Sequence, residues 1–174
     1  ENDDPELRRA DVDSEGQFVF EEVVLKNVAG YTISTMYLGI EYIVALTSED
    51  DLASILLNVY EATTNLDNVS IASDFLLVLG VDALDQTVFL MEIVEVVNQG
   101  DRVFVPALAG DGPMNFLRFP LPSGAGGLEV QTELPEGEVL QVDRGFALTT
   151  PVPPGVHGVA FTYMVPYDGA ALEM

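Results

Sequence analysis

The chain has 174 residues, 48% of them hydrophobic, and a mean hydropathy of +0.27, so it can bury a real core and is not a disordered tract. Twenty-nine Asp and Glu stand against six Lys and Arg, and the resulting net charge of −23 repels phosphate backbones and anionic lipid faces, which argues against nucleic-acid binding. There is no cysteine, which removes disulfides, thiol catalysis and thiolate metal sites. No apolar run approaches the ~20 residues that cross a bilayer as a helix; the longest clean one is FLLVLGV, 75–81.

The start at Glu1 reads as a mature or trimmed end. The first informative stretch is DVDSEGQFVFEE, 11–22. Counted from Asp11, acids fall at positions one, three and five, glycine at six and glutamate at twelve, close to a calcium-loop spacing with Asp11, Asp13, Glu15 and Glu22 as the metal ligands. The same letters read as a tight turn, DSEG, feeding an alternating strand, QFVF. Phe18 and Phe20 share a face only at period two, and a strand there would carry Glu22 away from the other acids. The turn is therefore the preferred reading, with Gly16 taking the positive φ.

Strand patterns punctuated by turns continue along the chain. QFVFEEVVL (17–25) alternates, although EEVVLKNV and ELRRA would also suit helices. YTISTMYLGIEYIVAL (31–46) is rich in β-branched and aromatic residues, with Gly39 as a bend or bulge. SEDD (48–51) is the expected domain boundary. ILLNVYEAT (55–63), VSIASDFLLVLGV (69–81) and TVFLMEIVEVVN (87–98) are the next expected strands. In the last of these Phe89, Met91 and Ile93 share one face, and Val88, Leu90 and Val94 the other, so the strand is expected to be covered on both sides. Shorter strands follow at RVFVP, at MNFLRFPLP where prolines close the ladder, and around LEVQT, EVLQVD and GFALTT. Beyond the rigid PVPPG, Val159, Phe161, Tyr163 and Val165 line one face of VHGVAFTYMVPY at period two.

Little in this sequence points to catalysis. His157 is the single histidine, too few for a histidine metal site, and no G-x-S-x-G elbow accompanies it, so it reads as a strand-end residue. PSGAGG lacks the G-K-[ST] ending of a phosphate cradle and reads as a turn. Paired carboxylates for glycoside hydrolysis are set by space rather than spacing and stay open, but there is no tryptophan platform for a sugar. No catalytic residue and no cofactor is assigned.

The segment DVDSEGQFVFEEV…YTISTMYLGIEYIV resembles the end of a carboxypeptidase regulatory-like module, the transthyretin-type β-sandwich. It does so through Asp13 to Gly16, the Phe18 and Phe20 pair, and the strand region from Tyr31 to Tyr42. The resemblance covers about 45 residues and lacks the module's leading strands. Downstream, NVYEATTN, NQGDRVFVP, LRFPLPSGA, GFALTTPVPPG and FTYMVPY resemble the second domain that accompanies such modules in bacterial envelope proteins, often ahead of a membrane anchor. No such anchor follows Tyr167 within the 174 residues; the expectation is either that the ends are trimmed or that the resemblance overstates the first domain.

These readings converge on an all-β chain of two β-sandwich-like domains. A small, partial transthyretin-like module is expected over 1–50 and a larger sandwich over 52–174. The expected function is that of a non-enzymatic, extracytoplasmic binding or structural module for a protein or surface ligand, with no membrane insertion within the chain. A calcium-dependent structural or adhesion module using the acidic loop 11–22 is the alternative, and a carboxylate-based hydrolase the remote one.

Overall fold

The computed structural model describes residues 7–21, 23, 31–47, 54–107 and 115–167. Among them every regular element is a strand, and the fold is all-β. By internal packing the chain divides into two compact units, residues 1–33 with 45–55 and residues 34–44 with 56–174. The expected boundary at SEDD lies outside the described residues.

In chain order the strands are β1 (Tyr31–Tyr37), β2 (Ile40–Leu46), β3 (Ala62–Thr63), β4 (Val69–Asp82), β5 (Thr87–Asn98), β6 (Val103–Phe104), β7 (Leu117–Phe119), β8 (Gly126–Thr132), β9 (Val139–Val142), β10 (Gly145–Leu148) and β11 (Gly155–Pro166). Gly39 is more than a bend. Leu38 and Gly39, at φ 51° and 80°, form the two-residue turn that splits 31–46 into the β1–β2 hairpin. Around that turn Ile40 and Tyr42 pack with Val103, flanked by Tyr37, Leu57 and Tyr60.

The main core lies in the second unit. Its four-stranded antiparallel sheet has the order β4-β5-β11-β8, and its three-stranded sheet the order β7-β10-β9. Val159, Phe161, Tyr163 and Val165 are all buried on one face of β11, as their period-two spacing predicts. They pack with Val88, Leu90, Val94 and Val96 of β5, and with Leu117, Phe119, Phe146 and Leu148 from the smaller sheet. Pro120 directly follows β7, where the ladder stops.

Three expectations need correction. Residues 17–21 form no strand; beyond the turn they run as irregular chain, with the Phe18 and Phe20 rings edge-on at 5.9 Å and the Arg8 guanidinium donating to the Glu21 carbonyl. Of 55–63 only Ala62 and Thr63 pair, in parallel with β6, because Leu57 and Tyr60 anchor the rest by packing rather than by a ladder. β5 is covered on one face, not two: Val88, Leu90, Val94 and Val96 are buried, while Phe89 and Ile93 are exposed.

Candidate interaction surface

The uncovered face of β5 continues onto β4, the edge strand of the larger sheet. Directly opposed residues of an antiparallel pair share a face. Phe75 pairs with Ile93 and Leu77 with Met91, so these four form one outward apolar row. Leu76 pairs with Glu92 and Val78 with Leu90, which puts them on the core side. They are nevertheless exposed, Val78 at 63%, and neither belongs to the core cluster, so β4 overhangs the sandwich. Phe75, on the outward face, is 62% exposed.

Seven large apolar side chains of this one strand face water: Ile71, Phe75, Leu76, Leu77, Val78, Leu79 and Val81. At on the order of 100 Å² each they approach the ~800 Å² that one partner buries in a standard protein interface. Monomers rarely leave so much contiguous apolar surface in water, and edge strands are usually blunted by lysine or proline. β4 has neither. Its register slips at Ala72 and Leu79, leaving Ser73–Val78 as a regular stretch between two bulges. Among the described residues β5 is its one neighbouring strand, so the opposite row of backbone donors and acceptors pairs with no strand.

Beneath this overhang lies a half-buried acid. Glu92 lies between Leu90 and Val94 on the core side of β5, and its Oε1 accepts a 2.5 Å hydrogen bond from the buried Tyr163 hydroxyl. Desolvation raises the Glu92 pKa, the Tyr163 hydrogen bond opposes that rise, and the Asp74 carboxylate adds to it. Tyr163 is pushed well above its ordinary value, by burial first and then by Glu92. A carboxyl whose folded pKa is raised contributes stability below the ordinary carboxylate value, and this is lost as pH rises through the raised one. Glu92→Gln keeps the acceptor and removes the charge. It should therefore melt above the parent at pH 7, with the gap closing near pH 4. Because Glu92 is partly solvated, screening holds the gain under ~1 kcal/mol, or ~2–4 °C. A lower melting temperature at pH 7 would mean that the charged hydrogen bond outweighs desolvation.

The residues singled out from sequence do not assemble with this surface. Asp13 caps its own turn: its Oδ1 accepts from the Glu15 and Gln17 amides at 2.9 and 2.8 Å, and its carbonyl accepts from Gly16, which sits at φ 81°. Glu15 accepts from the Gln17 side chain, Asp11 is exposed, and Glu22 lies outside the described residues. Among the described residues no three His, Cys, Asp or Glu side chains are gathered where they could hold a metal ion. His157 is the third residue of β11, with its Nε2 2.8 Å from the Pro153 carbonyl. PSGAGG turns through Gly124, at φ 81°, into β8.

A polar hollow of about 220 Å³ opens beside β6, lined by Asn65, Asn68, Asn98, Asp101 and Arg102 with Thr63 and Phe104. Buried Asn98 spends its amide there on the Arg102 and Val152 carbonyls and accepts from Gly100, so it holds a loop in shape. The lining offers amides and one acid–base pair, not a nucleophile with its base. The long apolar run of β4 is visible in the sequence as an expected strand, but hydropathy does not say which of its faces is covered. No family model, curated protein or solved structure matches this chain.

Proposed function

We propose that this chain is a non-enzymatic, extracytoplasmic binding or structural module that docks another protein along the β4 edge. The observation that carries the reading is the edge strand Val69–Asp82, whose outer edge pairs with no strand among the described residues and whose large apolar side chains are exposed on both faces. Such an edge gains main-chain hydrogen bonds and side-chain burial together when a strand is added, the physics of β-augmentation. The extracytoplasmic setting, and the partial carboxypeptidase-regulatory-like module ahead of a larger sandwich, rest on the resemblance of 11–46 and its downstream segments. The acidic surface is in keeping with an exported, well-hydrated protein.

Photo-crosslinking in the source cells tests the reading. Benzoylphenylalanine in place of Phe75 should give an adduct of one defined mass, and Leu77→Lys should abolish it. The same label at Gln131, on the far strand β8, should give none. Absence of a Phe75 adduct, or turnover in a glycan and ester substrate screen, would sink the proposal.

A further inference from the structure

Resting on that docking reading, we infer that the occupant of the β4 edge is an extended segment of a basic protein, about six residues long and flanked by lysine or arginine, added as a fifth strand. The length follows from the regular stretch Ser73–Val78, which two bulges bound. A longer flat strand would lose register at Ala72 or Leu79.

The chemistry follows from charge. Between Lys26 and Arg102 the sequence has no Lys, Arg or His and carries twelve Asp and Glu. The whole four-stranded sheet contains no Lys or Arg, while Asp74, Asp82, Glu92, Glu95 and Glu129 sit on its strands. Acids flank the edge on both faces. Asp74 and Glu92 lie on the core side; Glu95, which accepts from the Ser73 hydroxyl, lies on the outer side. A second copy would set this hairpin against itself with no cation to offset the opposed carboxylates, and like charges across a strand pair are destabilising. An apolar strand with basic ends meets both requirements: its centre covers Phe75 to Val78, one end meets Asp74 and Glu95, and the other points toward Asp82 beyond the second bulge. Anionic lipid fails on charge.

Three labelled peptides test the inference on the full chain by fluorescence anisotropy. The first alternates valine and threonine over six residues between paired lysines; the second replaces the lysines by glutamates; the third keeps the lysines but places prolines in the centre. The basic strand should bind at least ten-fold tighter than either control at low ionic strength, and its margin over the acidic peptide should shrink in 0.5 M NaCl. Leu77→Lys should weaken it ten-fold or more, and Asp74→Asn with Glu95→Gln should erode the charge preference. Both sets of changes fall on exposed or half-buried positions, and circular dichroism checks the fold of each variant. Equal binding of the proline peptide would mean plain electrostatic attraction and overturn the inference. Equal binding of the acidic peptide, or sedimentation as a dimer that Leu77→Lys dissociates, would overturn the basic partner and leave β4 as a docking edge. Failure of all three peptides without self-association would overturn both readings.

Discussion

Phe146→Ala should destabilise the second unit by about 3–5 kcal/mol, the cost of emptying a large aromatic site in a packed core. Phe146 has no exposed surface and occupies the centre of an aromatic cluster. Its ring stacks on Phe119 with centroids 5.0 Å apart and meets the edge of Phe161, also at 5.0 Å, while Phe119 and Phe161 touch at 5.6 Å. Phe119 and Phe146 belong to the three-stranded sheet and Phe161 to the four-stranded one, so this cluster joins the two layers. Truncation removes the apolar transfer energy and leaves a void that neighbours on hydrogen-bonded strands can close only in part. For a chain of this length the loss corresponds to a melting temperature lower by roughly 10 °C, read by thermal or urea denaturation. Phe75→Ala is the matched comparison. The same side chain on the exposed edge should cost no more than ~0.5 kcal/mol, as surface substitutions do. A large loss at Phe75 would mean that the edge aromatic serves folding, which would remove the ground for reading β4 as a docking strand.

That contrast also explains how far the sequence can be read. β5 appears at the span its pattern predicts, TVFLMEIVEVVN, and β11 exposes its period in Val159, Phe161, Tyr163 and Val165. Long β-branched runs between turn residues are legible because side-chain alternation and burial then coincide. The two-residue pairing of β3 with β6 is not, since a parallel bridge between distant short segments leaves no local period. At 17–21 the Phe-x-Phe spacing is real but incomplete evidence: the two rings pack on each other, and no ladder forms among the described residues there. The candidate surface is hidden by the same logic. Phe75, Leu77, Phe89, Met91 and Ile93 have the composition of a core row, and only the layering, with the smaller sheet packed on the opposite face, leaves them without a covering strand among the described residues. An apolar face that folding does not bury looks identical, in sequence, to one that it does. The acids tell more, because a stretch of 75 residues between Lys26 and Arg102 without a cation constrains any partner wherever its strands lie.

Gly145→Ala should cost several kcal/mol without removing a single contact. Gly145 opens β10 after the two-residue turn Asp143–Arg144, opposite Val142 of β9, with φ at +123°. That conformation is strained for any residue with a Cβ, at about 1–3 kcal/mol. Space adds a second penalty. A Cβ there would stand 2.0 Å from the Phe119 carbonyl oxygen, 2.9 Å from Pro120 Cα and 3.0 Å from the Leu121 amide nitrogen. All three are backbone atoms at the end of β7, so no rotamer change relieves the clash. β7 must move away from β10, although Phe119 pairs with Phe146 in that ladder and stacks on its ring. Overpacking of this kind adds a further ~1–3 kcal/mol. Gly39→Ala separates the two penalties, because Gly39 has φ at +80° but a methyl group there would meet nothing within 4 Å. Backbone strain alone acts there, about 1–2 kcal/mol for a left-handed residue. Denaturant melts of the two variants should therefore differ by at least ~1 kcal/mol, with Gly145→Ala the less stable. Equal losses would show that β7 can yield at Pro120 without disturbing Phe119. The aromatic joint between the sheets would then be softer than the packing around Phe146 requires.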